Sequence, residues 1–209
     1  MKAVEATIAQ KYNLRFLRLG AVPEASLWFS KVRQAARFKL IADVLEQTRV
    51  ASNFSINDIG CGYGALLPYL IERFPNKNFS YYGFDIASEP LNFCKKKYKQ
   101  ENFSFKIGNI PNKRCDFSVM SGTYNYAPIQ STKVWENYLF ENLRQIWKVS
   151  LSGIIFNIAV AEEAKITSQN ISYFSKENVE SFCHNNLGKT SLVFSGDLPN
   201  EVTFTSLRV

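Results

Sequence analysis

Several things are scarce or missing in this chain, and each absence removes a class of function. No stretch of the sequence approaches the roughly 18 consecutive apolar residues that cross a bilayer, and Met1-Lys2-Ala3-Val4-Glu5 lacks the apolar core of a signal peptide. A soluble, cytoplasmic protein is therefore expected. The four cysteines, Cys61, Cys94, Cys115 and Cys183, are widely separated and form no C-x-x-C pair. Neither a zinc site nor a disulfide framework is indicated, and free thiols without a bound metal are expected. There is one histidine, His184. No internal repeat, low-complexity tract or disordered stretch is visible.

What is present is enough to build a core. With 46% hydrophobic residues over 209 positions the chain reads most simply as one α/β domain, 1–209, with two small domains as the alternative. Its net charge of +7, from 25 Lys and Arg against 18 Asp and Glu, favours acidic or neutral partners without making it a nucleic-acid binder.

Residues 1–50 read as an amphipathic helical segment. Trp28, Val32, Ala35, Ala36, Phe38, Leu40, Ile41, Val44 and Leu45 are interspersed with Lys31, Arg33, Arg37 and Lys39. From Phe54 the period changes: strands near 54–59, 79–85, 103–107, 116–121 and 153–160 are interleaved with helices over 64–74, 88–99, 133–148 and 175–186. That alternation predicts a parallel sheet covered on both faces. Pro75-Asn76-Lys77-Asn78 breaks the first of these helices and Ser88 is placed to cap the second. Ser175, with Glu177 and Asn178, opens the last, and Gly188 closes it. Two more strands, 190–195 and 202–209, flank the hairpin-like Gly196-Asp197-Leu198-Pro199-Asn200. The expected fold is Rossmann-like α/β, with a seven-stranded, mostly parallel sheet, an antiparallel C-terminal hairpin and an N-terminal helical lid over 1–50.

The run Ile56-Asn57-Asp58-Ile59-Gly60-Cys61-Gly62-Tyr63-Gly64-Ala65-Leu66-Leu67 carries the chemistry. An apolar strand ends in three alternating glycines, and Leu66, Leu67, Leu70 and Ile71 continue at helical spacing. Such a loop brings main chain against a bound molecule. Two cofactor readings compete, because Gly60 to Ala65 also satisfies G-x-G-x-x-G/A, the dinucleotide pattern. Asp85, ending Tyr81-Tyr82-Gly83-Phe84-Asp85, suits a ribose in either case. Asp58 does discriminate. A carboxylate beside the loop attracts an ammonium and repels a pyrophosphate.

On Asp58, the alternating glycines, the preceding helical segment and the terminal hairpin, the chain resembles the class I S-adenosylmethionine-dependent methyltransferases from about residue 25 to its end. The resemblance implies that Asp58, Gly60, Gly62 and Gly64 surround the methionine part of S-adenosyl-L-methionine. It further implies that Asp85 takes the ribose hydroxyls, that Ile86 packs by the adenine, and that Asn109 and Ile110 stand where the adenine amino group is held. Many relatives have aspartate at the Asn109 position; an asparagine oxygen still accepts a hydrogen bond. Met120-Ser121-Gly122-Thr123-Tyr124-Asn125-Tyr126, with Ser121 at the cofactor, occupies the segment near the transferred methyl group. It lacks the N/D-P-P-Y/F signature of many relatives that methylate bases and amides. Ser26-Leu27-Trp28-Phe29-Ser30, Gln34, Arg37 and Phe38 look like the lid of a bacterial subgroup. Arg37 then either meets the cofactor carboxylate or is a structurally paired arginine.

Methyl transfer from a sulfonium needs alignment first and a base only for some acceptors. The candidate catalytic residues are Tyr124 and Tyr126, which otherwise are packed aromatics, and His184, which by position alone would serve a helix C-terminus. Glu162 and Glu163, after the fifth strand, are candidates for contacting an amine acceptor. The expected acceptor is an oxygen or nitrogen of a small molecule, plausibly a bacterial natural product or a sugar-derived intermediate. Lys95, Lys96, Lys97, Lys99, Lys106, Lys113 and Arg114 raise the alternative of RNA methylation, although no aromatic stacking signature accompanies them. A non-catalytic cofactor-binding protein is the other alternative.

Overall fold

The computed structural model describes residues 1–27, 30–48 and 50–208. Helix α1 spans Lys2–Leu19, a short 3-10 turn spans Pro23–Ser26, and α2 spans Lys31–Gln47. Ser30 starts α2 by accepting the Val32 and Arg33 amides on its Oγ, at 3.1 and 3.4 Å. The chain then runs β1 (Asn53–Ile59), α3 (Leu66–Arg73), β2 (Asn78–Asp85), α4 (Ser88–Lys97), β3 (Phe103–Ile107), β4 (Cys115–Ser121), α5 (Thr132–Val149) and β5 (Ser150–Ala161). After β6 (Lys165–Ile166) and β7 (Ser172–Ser175) come α6 (Lys176–Asn186), β8 (Lys189–Val193) and β9 (Glu201–Leu207).

The strands β3-β2-β1-β4-β5 pair in parallel in that order. β9 then pairs antiparallel with β5, and β8 antiparallel with β9. These are the seven strands the sequence predicts, hairpin included. Two further short strands extend the C-terminal end of β5: β7 runs parallel to it through Val160 and Ala161, and β6 pairs antiparallel with β7. Residues 161–175 carry no alternating pattern, and strands of two and four residues leave none to read.

Side-chain alternation along the strands divides the apolar residues between two cores. On one side Ile56, Tyr81, Val119 and Ile155 pack against Ile41 and Leu45 of α2, Leu67 and Leu70 of α3 and Leu91 of α4. On the other, Ile154, Phe156, Ile158 and Phe204 pack against Trp135, Leu139 and Ile146 of α5 and Val179 and Cys183 of α6. Each fully buried side chain of this size contributes roughly 1.5–3 kcal/mol of transfer free energy. The order of connection reverses between β1 and β4, so the loops leaving those two strands diverge and open a crevice at the carboxyl ends of the sheet.

Helix α1 lies across that crevice. Phe16 packs on Phe93 of α4 with ring centres 5.7 Å apart, and Tyr12 meets Tyr126 edge-on at 6.1 Å. Asn13 Oδ1 accepts the Glu89 amide at 2.8 Å, so α4 is capped from α1 and not by Ser88, whose side chain makes no cap bond.

Candidate functional site

The glycine loop is held by its own main chain. The Gly60 and Cys61 amides both donate to the Phe84 carbonyl, at 2.7 and 3.0 Å, which bends β1 toward the end of β2. Gly60 has φ +75°, a left-handed value that a side chain resists, and a Cβ there would lie 2.6 Å from the Thr123 methyl carbon. Thr123 is itself fixed, its hydroxyl donating to the Ile59 carbonyl at 2.7 Å.

Two carboxylates face the bend. Asp85 accepts the Gly62 amide and the Ala87 amide, both at 2.8 Å, so one side chain braces the loop and the start of α4 together. Asp58, 2% exposed, accepts the hydroxyl of Tyr81. Burial pushes the Asp58 carboxyl up to about 7, against the opposing pull of the Tyr81 hydrogen bond, and Asp85 adds to the rise. Burial also raises the Asp85 carboxyl, while three main-chain hydrogen bonds, the Ala87 amide first, work the other way.

Beyond the loop the cleft is aromatic. Tyr12, Phe38, Tyr63, Tyr124, Trp135 and Tyr138 line it together with Ile8, Ser26 and Gln34. Tyr63 donates to Gln34 at 3.1 Å, and Trp135 donates its indole N–H to the Tyr124 carbonyl at 2.9 Å, which pins the segment after β4. The Tyr124 hydroxyl makes no hydrogen bond of normal geometry, although Asn142 stands near enough to oppose the rise that burial imposes on it. The Ser121 hydroxyl is buried without a partner. Among the described residues lining the cleft there is no Lys, Arg or His. No group of three or more His, Cys, Asp or Glu among the described residues is placed to hold a metal ion.

Of the residues singled out from sequence, Asp58, Gly60, Gly62, Asp85, Ile86, Asn109, Ser121 and Tyr124 line this cleft. Gly64 does not; its φ of +74° and the neighbouring Cys94 and Tyr98 give it a part in the turn into α3. Ile110 packs against the second core. Tyr126 sits outside the lining, with the Lys11 ammonium 4.4 Å from its ring centre.

Two of the candidates lie outside the cleft lining, in the structural places that are their alternatives. Arg37 is buried and paired with Glu201 of β9, its Nε donating to Oε2 at 2.6 Å, and it fastens α2 to the sheet instead of entering the cleft. His184 stands on the exposed face of α6 and is not among the residues lining the cleft. Trp28 and Phe29 of the expected lid motif lie outside the described residues.

The fold also brings Tyr12, Tyr63, Trp135 and Tyr138, which are not among the candidates read from sequence, into the lining. One signal was available for α1: Glu5, Ile8 and Tyr12 recur at three- and four-residue spacing, which sets an acid and an aromatic on one helix face.

A family model described as a methyltransferase domain matches residues 56–148. Rv1506c of Mycobacterium tuberculosis, which carries the name of a methyltransferase, is 32% identical over 108 residues, covering 51% of this chain. The chain spans 64% of that relative's length. Magnesium protoporphyrin IX methyltransferase of Synechocystis PCC 6803, solved with bound SAH, superposes with a TM-score of 0.71 at 11% identity over 98% of this chain and 100% of its own. The CMeT domain of the citrinin polyketide synthase gives 0.64 at 11% identity, over 84% of this chain and 53% of that one. Likeness at this level of identity speaks for the fold.

Proposed function

We propose that the chain is a class I S-adenosylmethionine-dependent methyltransferase that moves a methyl group from S-adenosylmethionine to a nitrogen or oxygen of a small molecule; the methyltransferase-domain match over residues 56–148 and the likeness in fold support this reading. The observation that carries this reading is the charge of the cleft: two carboxylates, Asp58 and Asp85, and no cation among its described lining residues. A donor bearing a sulfonium and an ammonium is welcome there, and a pyrophosphate beside Asp58 is not. Gly60 keeps main chain open to a ligand, the Ser121 hydroxyl, unpartnered among the described residues, supplies a polar contact, and Asp85, with three of its roughly four acceptor positions taken by main-chain amides, keeps capacity for a ribose hydroxyl.

When bound, S-adenosylmethionine supplies a methyl group on a sulfonium, a leaving group that needs no protonation. The task left to the protein is alignment. Thr123 and Trp135 hold the segment after β4 rigid against the loop, and the aromatic walls exclude water from the line of attack. Burial raises the Tyr12 and Tyr124 hydroxyls, which therefore stay protonated and position the acceptor by donating hydrogen bonds without acting as bases. With no imidazole or ammonium in the described lining, the favoured acceptor attacks with its own lone pair. A neutral amine, or a hydroxyl acidic enough to ionise unaided, meets that requirement.

The direct test is to incubate the protein with labelled S-adenosylmethionine and a fractionated small-molecule extract. S-adenosylhomocysteine formation that depends on a neutral or basic fraction is expected. Turnover confined to strongly anionic acceptors or to RNA contradicts the reading.

A further inference from the structure

We propose that Glu5, on α1, reads the exocyclic amino group of the cofactor's adenine, so that the helix crossing the cleft is itself part of the nucleoside site. This rests on the cleft being the S-adenosylmethionine site. Three side chains from distant parts of the chain close a triangle at the margin of that cleft, Asn109 and Tyr138 lining it and Glu5 bonded to both from outside the lining. Asn109 Nδ2 donates to Glu5 Oε1 at 2.8 Å and to the Tyr138 hydroxyl at 2.9 Å, and that hydroxyl donates to the same Glu5 oxygen at 2.6 Å. Asn109 and Tyr138 both line the cleft, as do Ile8 and Tyr12, one and two turns further along α1.

The arrangement leaves an acceptor in surplus. Glu5 is partly buried, and among the described residues no cation forms an ion pair with it. Both protein donors converge on Oε1, and among the described residues no side-chain hydrogen bond reaches Oε2. A carboxylate drawn this far from water gains most from a further N–H donor. A ribose held by Asp85 at the end of β2 places its base along Ile86 toward Gly108 and Asn109, which follow β3. A purine lying there brings its outer edge to the triangle. Asn109 cannot supply a negative charge, and its N–H group is already committed. Glu5 supplies the charge, from α1. One consequence is that nucleoside binding and the seating of α1 reinforce each other, because the same carboxylate serves both.

Calorimetry on the full chain tests this with two probes, S-adenosylhomocysteine and its purine analogue with hydrogen in place of the 6-amino group. The wild-type protein is expected to prefer the amino compound by roughly tenfold or more, the span of a hydrogen bond to a charged group. Glu5→Ala is expected to erase that preference by weakening the amino compound alone. Because α1 contributes no fully buried residue, the variant keeps its core. Equal weakening of both probes assigns Glu5 to holding α1 only and overturns the proposal, as does no weakening of either. A wild-type protein that binds neither probe overturns the cofactor assignment beneath it, a distinguishable result.

Discussion

Tyr81 of β2 donates its phenolic hydroxyl to the carboxylate of Asp58 on the adjacent strand β1, and both residues are buried. The pair explains how an acid persists in the floor of an aromatic cleft: a fixed donor replaces part of the lost water. In Tyr81→Phe the carboxylate keeps its burial and loses its donor, so its pKa rises further. A stability loss of about 1–3 kcal/mol is expected above neutral pH, and a smaller one near pH 5, where Asp58 is protonated. Urea unfolding at the two pH values measures the difference.

Asp58 also makes stability depend on pH in a defined direction. Its folded-state pKa of about 7 lies above the ordinary carboxylate value, so between the two the folded protein holds a proton that the unfolded chain has released. Raising the pH across that window therefore destabilises the folded state, and the effect levels off above the folded pKa. Relative to Asp58→Asn, the wild-type protein should lose on the order of 2–3 kcal/mol between about pH 5 and pH 8. A difference that stays flat over this range removes the assignment.

The same titration marks ligand binding. If the methyl donor's ammonium sits by Asp58, binding favours the ionised carboxylate and expels its proton. Affinity should then tighten by up to about tenfold per pH unit below about pH 7, with proton release visible as a buffer-dependent heat in calorimetry. Equal heats in buffers of different ionisation enthalpy would count against an ammonium at this acid.

Asp85 has two tasks, bracing the Gly62 amide and offering acceptors to a ribose. Asp85→Ala is expected to weaken S-adenosylmethionine by on the order of 1.5–3 kcal/mol, read by isothermal titration. Unchanged affinity would put the ribose elsewhere. Gly60→Ala attacks the same loop from the other side. A left-handed alanine costs about 1–2 kcal/mol, and its Cβ collides with Thr123. Both a lower melting temperature and loss of cofactor binding should follow.

Arg37 is expected to behave as a structural residue. Arg37→Ala leaves Glu201 only the partly exposed Arg33, 3.1 Å away, so a loss short of the roughly 3–5 kcal/mol for stripping one side of a buried pair is expected. The double replacement Arg37→Met with Glu201→Met should recover much of that loss. Cofactor affinity of the folded double variant should match the wild type. A selective affinity defect would return Arg37 to the cleft.

The contrast between Arg37 and Asp58 shows what was legible in the sequence. Asp58, the glycines and Asp85 belong to strand–loop–helix patterns a few residues long, and local periodicity places them at the carboxyl edge of the sheet. Arg37 and Glu201 are 164 positions apart, and nothing near Arg37 announces its partner. Tyr138 and Glu5 are separated by 133 positions and meet only because α1 folds back over the sheet. The short strands β6 and β7 are not legible in the sequence for a related cause, since their order comes from β5 and from the bridge between Tyr126 and Ile171. The floor of the cleft was thus written locally, and its roof arises from tertiary contact.

The most direct measurement is a pair of calorimetric titrations on the same preparation, one with S-adenosylmethionine and one with a nicotinamide dinucleotide. Saturable binding of the sulfonium alone, lost in Asp85→Ala, is the expected result. Binding of the dinucleotide with no response to S-adenosylmethionine would contradict the account at its base.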